Sequence, residues 1–249
     1  MEAVTPYDSD FYNHQSVGSY RSANVVVPIA NQIIKPRSIC DVGCGIGSWL
    51  HAWKNVGVKD VCGIDGNYVD RSLLMIDARE FIYADLRKPL TLNRTFDLVL
   101  SLEVAEHLPA ERAEGFVADL SKIAPVVLFS AAVPQQGGTD HINEQWQEYW
   151  ANLFRNLGFI AFDCIRPVVW DDEAVERWYR QNIILYCRNS RVSDFPALSV
   201  SNSFPLSIVH PKQYVERHKE YGVRETLTLL GASLRRASQR RMDRLMRRP

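Results

Sequence analysis

A glycine-rich turn constrains the fold of this chain more than any other feature. Residues 41–47, with the sequence DVGCGIG, follow a short apolar segment and lead into residues 48–53, whose sequence SWLHAW is typical of a helix. This order predicts a strand, a tight turn and a helix, and glycines in such a turn let a ligand approach the backbone. The spacing G-x-G-x-G is neither the dinucleotide G-x-G-x-x-G nor a phosphate loop ending in G-K-[ST]. Asp41, at the end of the predicted strand, favours a cationic ligand over a pyrophosphate.

Three further apolar segments each lead to a polar residue. They are residues 61–65, 81–86 and 96–101, and they carry Asp65, Asp85 and Ser101 at or near their ends. In an open α/β sheet the carboxyl ends of the parallel strands face one ligand groove, and an acid about twenty residues after the glycine turn suits ribose hydroxyls. The pattern therefore predicts an α/β fold with a single groove, in which Asp65 binds a ribose.

Four segments, DVGCGIGSW, GIDG, ADL and FDLVLSLEVAEHLP, resemble the successive motifs of class I S-adenosylmethionine-dependent methyltransferases. The resemblance covers about residues 36–188. It implies a three-layer, Rossmann-like fold with a seven-stranded, mostly parallel sheet and an antiparallel last strand. We expect residues 1–35 to form an N-terminal helical lid, residues 36–188 the S-adenosylmethionine-binding domain, and residues 189–249 a linker and a basic helical extension.

The resemblance also implies a set of residues that bind S-adenosylmethionine. Asp41 and the backbone of the glycine turn would hold the methionine part, Asp65 the ribose diol, and Asp85 with Leu86 the adenine. Tyr68 offers an aromatic face beside the ribose acid, where a flat heterocycle can stack. The complete set is Asp41, Gly43, Cys44, Gly45, Gly47, Asp65, Gly66, Tyr68, Asp85, Leu86 and Ser101. Tyr12, Ser19 and Arg21 of the predicted lid are candidates to contact the donor carboxylate or the acceptor.

The segment after the fourth strand carries the candidate catalytic groups. Glu103, Glu106 and His107 follow an E-x-x-E-H pattern, and on a helical turn they would share one face. His141, in the loop after the fifth strand, is expected to meet them. Three interpretations fit: His107 or His141 acts as a general base oriented by Glu106, the four residues bind a divalent cation such as Mg²⁺, or they only organise the start of a helix. The pattern resembles the metal-binding segment of small-RNA 3′-end methyltransferases and of ubiquinone-pathway O-methyltransferases.

Two aromatic groups are candidates for acceptor binding. Trp146 and Tyr149 begin a predicted helix and either shape the acceptor pocket or belong to the core, with Asn143 as the predicted helix cap. Trp178, Tyr179 and Gln181 stand close together, as in surfaces that bind sugars. The alternative for this second group is a connection that closes the sheet edge.

Composition bounds the remaining choices. Five cysteines without paired spacing indicate reduced thiols and a cytoplasmic protein, and no apolar run reaches transmembrane length. Residues 212–249 contain eleven Lys and Arg against four Asp and Glu, so the rest of this neutral chain is acidic. The acidic body and the lack of an N-P-P-[YF] tetrapeptide after the fourth strand argue against nucleic acid as a partner. The basic tail is either a solvated helix or one that docks on a membrane surface or a protein.

These features together predict an S-adenosylmethionine-dependent enzyme that methylates a hydroxyl of a sugar or another polyhydroxylated small molecule. A phenolic, quinone-like or amine acceptor is the enzymatic alternative. A non-catalytic subunit that uses the same fold to bind a partner is the alternative of another class, and the oligomeric state is left open.

Overall fold

The computed structural model describes residues 9–199 and 206–217, together with Leu227 and Leu230. The chain divides into two compact units, Met1–Gln213 and Tyr214–Pro249. Leu227 and Leu230 are helical and exposed. The arginine-rich residues 235–249 of the predicted basic extension lie outside the described residues. None of the described helices combines the length and the apolar character needed to cross a membrane.

Seven strands form one sheet in the order β3-β2-β1-β4-β5-β7-β6. The strands are β1 Ser38–Val42, β2 Asp60–Asp65, β3 Phe81–Tyr83, β4 Leu98–Leu102, β5 Val126–Ser130, β6 Phe159–Phe162 and β7 Ile184–Arg188. The first five are mutually parallel, and β7 is antiparallel to both β5 and β6. This sheet confirms the predicted fold class, including the antiparallel last strand.

The described part of the chain also contains α-helices. They are α1 Ser9–Ile34, α2 Ser48–Asn55, α3 Ala113–Ile123, α4 Gln147–Asn156, α5 Arg166–Val169, α6 Arg177–Asn182 and α7 Pro211–Arg217. Short 3-10 helices lie at Arg71–Leu73, Ala78–Glu80, Ala105–His107, Ala110–Arg112, Asn189–Asp194 and Pro196–Ser199. The helices and strands together form two buried apolar clusters. One contains Val26 and Trp53 from α1 and α2, and the other contains Phe116 and Phe154 from α3 and α4.

The strand order places the ligand groove. From β1 the chain adds β2 and β3 on one side of β1, and it then returns to add β4 on the other side of β1. At such a switch point the carboxyl ends of the strands open into a crevice that can hold a ligand. The glycine turn leaves β1 directly into α2, so the groove forms where the sequence predicts it.

The end of the sheet differs from the prediction in one respect. From its sequence, the segment QNIILYC at residues 181–187 is predicted to be the last strand. Gln181 and Asn182 instead end helix α6, and the strand begins only at Ile184. Polar contacts explain the difference, because both side-chain amides are buried and hydrogen-bonded to Gln136. In a strand, adjacent side chains point to opposite faces of the sheet, so the two amides would not both face Gln136.

Candidate active site

The glycine turn is shaped for a close approach to the backbone. Gly43, Gly45 and Gly47 have φ values of 87°, 53° and 86°, which only glycine adopts readily. A Cβ on Gly43 would lie 2.3 Å from Cγ2 of Val104, so this turn packs directly on the segment after β4. A Cβ on Gly45 would meet no described atom within 4 Å, because it would project into open space.

That space is a cavity of about 400 Å³ along the carboxyl edge of β1 to β4. Its volume suits a nucleoside-sized ligand. Of the predicted donor-binding residues, eight line it: Gly43, Cys44, Gly45, Asp65, Gly66, Tyr68, Asp85 and Leu86. Sequence reasoning missed other wall residues, among them Trp49, Asn67, Tyr83 and Arg87, whereas Leu102, expected together with Ser101, does line the cavity. The only sequence feature that could have identified these residues is their place in or beside a recognised motif.

Asp65 connects β2 to the glycine turn. Its carboxylate accepts 2.6 Å hydrogen bonds from the backbone N–H groups of Gly45 and Gly66, and another from the hydroxyl of Tyr68. Burial raises the pKa of Asp65, and these hydrogen bonds partly oppose the rise. An acid at this place can accept hydrogen bonds from ribose hydroxyls, as the sequence predicts.

Three predicted donor-binding residues lie behind the cavity wall. Asp41, Gly47 and Ser101 are absent from the lining, and the side chains of Asp41 and Ser101 are buried. Burial, followed by the nearby charge of Asp65, raises the pKa of Asp41 well above its usual range. Leu102 takes the expected place of Ser101 in the wall, because alternate residues of β4 face opposite sides of the sheet.

The end of the cavity at which the sequence predicts the adenine is more exposed. Asp85 accepts two hydrogen bonds from the guanidinium of Arg87, at 2.8 Å and 3.0 Å, and this pairing lowers the pKa of Asp85. Tyr68 and Tyr83 are exposed aromatic residues in the same wall. Two aromatic rings at this end offer stacking surfaces for a flat base.

Helix α1 reaches the cavity wall through Ser19. Ser19 lines the cavity, and its hydroxyl lies 3.1 Å from that of Tyr179, which also lines it. The ring of Tyr179 contacts Trp49 edge-on, with 5.1 Å between centroids. Arg21 instead points to the surface, where it pairs with Glu176 at 2.8 Å. The side chain of Tyr12 lies outside the described residues.

The E-x-x-E-H segment does not form the predicted helical face. Glu103 has a left-handed φ of 56°, and the 3-10 helix begins only at Ala105. The carboxylate of Glu103 accepts hydrogen bonds from Gln136 at 2.9 Å and Asn182 at 3.1 Å. Burial raises its pKa, while those hydrogen bonds lower it. The left-handed turn directs the carboxylate of Glu103 to Gln136 and Asn182, and Glu103 still lies near enough to Glu106 to raise the pKa of that residue.

Glu106, His107 and His141 do come together. One potential ligand atom from each lies within 4.8 Å of the others, and the two imidazole rings are 4.9 Å apart and nearly perpendicular. Glu106 is fully buried, and neither carboxylate oxygen has a hydrogen-bond partner among the described residues. The Nδ1 atom of His107 is also buried without a partner in this part of the chain. Such orphaned polar atoms are costly in a protein interior and fit a bound cation.

Electrostatics in this cluster favours uncharged side chains when no cation is present. Burial, then the neighbouring Glu103, raises the pKa of Glu106 well above its usual range. Burial, then the nearby His141, lowers the pKa of His107. A neutral imidazole is the form that binds a metal or accepts a proton.

The loop between β5 and α4 is fixed to this cluster through its backbone. Ile142 and Asn143 both donate to the carbonyl oxygen of Glu106, at 2.9 Å and 3.0 Å. The prediction of Asn143 as the helix cap is wrong, because α4 begins at Gln147 and Trp146 is its N-cap. The backbone N–H of Asn143 instead helps to hold the loop against Glu106.

The predicted acceptor residues divide into two groups. Trp146 is 44% exposed at the end of the loop between β5 and α4. Tyr149 instead packs against Trp150, with 5.0 Å between the ring centroids. Tyr179 lines the cavity, and Trp178 is half-buried next to it. Gln181 is 1% exposed, so the expected sugar-binding surface at this residue is corrected: its amide is bound inside the protein.

Solved structures share this architecture. Magnesium protoporphyrin IX methyltransferase from Synechocystis PCC 6803, with bound S-adenosylmethionine, is 20% identical, covers 75% of this chain and 86% of its own, and has a TM-score of 0.52. The sugar N-methyltransferase KedS8 from Streptoalloteichus sp ATCC 53650 is 14% identical over 76% of this chain and 98% of its own, with a TM-score of 0.55. The methyltransferase domain of bacterial CtHen1-C is 16% identical over 68% and 98%, with a TM-score of 0.50.

Sequence comparison gives the family. No curated protein sequence matches this chain. The profile of a family described as a methyltransferase domain matches residues 18–166, which is more than half of the chain and includes the glycine turn, Asp65 and the E-x-x-E-H segment. The chain therefore belongs to this methyltransferase-domain family and is a class I S-adenosylmethionine-dependent methyltransferase.

Proposed function

We propose that the enzyme methylates a hydroxyl of a sugar or another polyhydroxylated small molecule, and that Glu106, His107 and His141 hold a divalent cation that assists the transfer. The position of His107 carries this proposal. His107 lines the donor cavity and is also a member of the three-residue cluster. An acceptor hydroxyl held at the cluster would therefore lie beside the bound donor, and this proximity supplies a large part of the rate enhancement.

S-adenosylmethionine, when bound, supplies a methyl group on a positively charged sulfur. The residues of this chain would hold and orient it in the cavity. The backbone at Gly43 and Gly45 approaches the ligand without a Cβ in the way. Asp65 would accept hydrogen bonds from the ribose, and Tyr68 and Tyr83 would flank the base. The open space over Gly45 supports this fit.

The cation proposal depends on the chemistry of the three side chains. A divalent cation lowers the pKa of a hydroxyl that binds to it. Two imidazoles and one carboxylate form a mixed nitrogen and oxygen donor set, which suits Mn²⁺, Fe²⁺ or Zn²⁺ better than Mg²⁺. Glu103 is not part of the proposed ligand set because its carboxylate is bound by Gln136 and Asn182.

A metal-free version of the same reaction uses His107 as the general base. Its Nδ1 atom has no partner among the described residues, and the lowered pKa keeps the ring neutral and able to accept a proton. The two versions differ in their response to chelation, which makes them separable in one assay.

The cavity wall supports a hydroxyl-rich acceptor. Ser19, Glu103, Asp140 and Tyr179 line the same cavity as His107, and such groups can exchange hydrogen bonds with several hydroxyls. The second candidate is a phenolic or quinone-like acceptor. It is favoured by Ile142 and Trp146, which are 64% and 44% exposed on the loop that carries His141.

One assay tests these alternatives together. Purified full-length enzyme is incubated with S-adenosylmethionine and a panel of sugars, phenols and amines, with EDTA or with added Mn²⁺, and products are detected by mass spectrometry. We expect methylated sugars, loss of turnover with EDTA and recovery with Mn²⁺. Turnover that EDTA leaves unchanged would support His107 as the base, and products only from phenols or amines would overturn the sugar proposal. If S-adenosylhomocysteine does not bind, a role as a non-catalytic, partner-binding subunit would explain the protein better.

We further propose that α1 acts as a lid over the donor, since Ser19 reaches the cavity wall. All five cysteines are free thiols, which is typical of a reducing compartment and supports a cytoplasmic location. Docking of the basic C-terminal residues on a membrane surface or a protein remains a prediction from the sequence, as does the exclusion of nucleic acid.

A further inference from the structure

The loop that carries His141 is built around a carboxylate, Glu144. Its Oε2 atom accepts the backbone N–H of Gln135 at 2.7 Å, and its Oε1 atom accepts that of Gly137 at 2.7 Å. Oε1 also lies 2.9 Å from Nδ1 of His141. Two backbone donors thus hold the carboxylate in place before it meets the imidazole, so Glu144 has a fixed direction toward His141.

This contact determines which nitrogen of His141 carries the proton. An ionised carboxylate has only acceptor atoms, so Nδ1 of His141 must donate to Oε1. In the neutral ring the proton is then on Nδ1, and the free lone pair is on Nε2. A carboxylate that orients a histidine in this way commonly supports a metal ligand, and its loss costs about 10-fold to 100-fold in metal affinity.

Glu144 contacts the Nδ1 edge of the His141 ring, and Gly138 lies close to its Nε2 atom. A Cβ on Gly138 would lie 2.2 Å from Nε2 of His141 and 2.5 Å from its Cε1. Gly138 is not among the glycines with positive φ, so an alanine there meets the ring without backbone strain. The glycine therefore leaves room for the imidazole, rather than serving the turn itself.

We infer that Glu144 and Gly138 are positioning residues for His141: Glu144 selects the tautomer with a free Nε2, and Gly138 provides the space in which the ring lies. This inference rests on the proposed function for its purpose, because a free Nε2 is what a metal ligand or a base requires. Glu144 is not one of the proposed metal ligands, because it acts only through His141.

Nuclear magnetic resonance on the metal-free, full-length protein tests the tautomer directly. Histidines are labelled with ¹⁵N, the His141 signals are assigned by their loss in His141→Gln, and the spectra are recorded at alkaline pH, where the rings are neutral. We expect the wild type to carry its proton on Nδ1. Glu144→Gln keeps a carbonyl oxygen as the acceptor and should retain this tautomer, whereas Glu144→Ala should lose it. A wild-type ring protonated on Nε2, or a Glu144→Ala spectrum equal to wild type, would overturn the inference.

Mn²⁺ affinity, measured by electron paramagnetic resonance without donor or acceptor, supplies the second readout. We expect Glu144→Ala and Gly138→Ala each to weaken Mn²⁺ binding at least tenfold, and Glu144→Gln to weaken it less than Glu144→Ala does. Glu148→Ala removes an exposed carboxylate four residues away that pairs with Arg155 instead, and it should bind Mn²⁺ as the wild type does. If the wild type binds no Mn²⁺ but shows the expected tautomer, the cation proposal fails and the positioning role stands.

Discussion

The carboxylate of Asp65 accepts the backbone N–H of Gly45 at 2.6 Å and so joins the end of β2 to the glycine turn after β1. The same carboxylate also accepts the N–H of Gly66 at 2.6 Å. One buried acid therefore shapes two backbone segments of the donor cavity. The arrangement makes Asp65 both a candidate ribose ligand and a support of the turn.

Replacing Asp65 with asparagine should weaken S-adenosylhomocysteine binding by about 10-fold to 100-fold. The amide places an NH₂ group against a backbone N–H donor, and a buried donor without an acceptor costs roughly 1–3 kcal/mol. Isothermal titration calorimetry measures the change. Glu111→Gln, which alters an exposed acid, serves as the control, and equal affinities for the two variants would remove Asp65 from the donor site.

Gly43→Ala should disrupt the turn more than Gly57→Ala does. Both glycines have positive φ, 87° and 102°, so alanine is strained at either place by about 1–2 kcal/mol. Only at Gly43 would the new Cβ meet another side chain, at 2.3 Å from Val104, whereas no described atom lies within 4 Å at Gly57. We expect Gly57→Ala to lower the free energy of unfolding slightly with unchanged S-adenosylhomocysteine affinity. Gly43→Ala should lower both, and matching behaviour of the two variants would contradict the packing described for the turn.

The sheet and most of the donor cavity were predictable because apolar strands and the polar residues at their ends are adjacent in sequence. Asp65 is the last residue of β2, Tyr68 and Asp85 lie within three residues of a strand end, and all three line the cavity. Ser101 does not, because the side-chain direction along β4 depends on register, which a strand buried on both faces does not reveal.

Backbone conformation explains the remaining differences. The sequence E-x-x-E-H is compatible with a helical face, but the left-handed φ of 56° at Glu103 places its carboxylate toward Gln136 and Asn182. A non-glycine residue in that region is uncommon and has no local sequence signal. Gln181 was expected at the surface because of its polarity, yet it is buried by partners that are distant along the chain.

Asp41→Asn should stabilise the protein, and the gain should increase with pH. The pKa of the folded carboxyl is raised by burial well above its ordinary value of 3.8. The folded state therefore holds its proton over a range in which the unfolded state has lost it, and stability falls as the pH rises through that range. Asparagine does not ionise, so it removes this loss.

Chemical denaturation at pH 5 and pH 8 measures the difference. We expect a larger stabilisation by Asp41→Asn at pH 8 than at pH 5. Asp171→Asn, which changes an exposed acid, serves as the control. A stabilisation that decreases from pH 5 to pH 8 would show that the Asp41 carboxylate is favoured in the folded protein.

Arg166→Met should destabilise the protein by about 3–5 kcal/mol. The buried guanidinium of Arg166 pairs with Asp163 at 2.6 Å and donates to the carbonyl oxygens of Gln181 and Leu206. Its loss leaves a buried carboxylate without its partner. Urea denaturation gives the change, with Arg155→Met at an exposed ion pair as the control, for which we expect less than about 1 kcal/mol. In the double variant Arg166→Met with Asp163→Asn, part of the stability should return.

The most direct test of the account is a Mn²⁺ titration of the full-length enzyme with S-adenosylhomocysteine bound, followed by electron paramagnetic resonance. We predict one Mn²⁺ site per chain in the wild type, and at least tenfold weaker binding in Glu106→Gln, because the buried carboxylate of Glu106 is one of the three proposed ligands. Glu148→Gln should match the wild type. Absence of stoichiometric Mn²⁺ binding in the wild type, or equal affinity in Glu106→Gln, would contradict a cation at Glu106, His107 and His141.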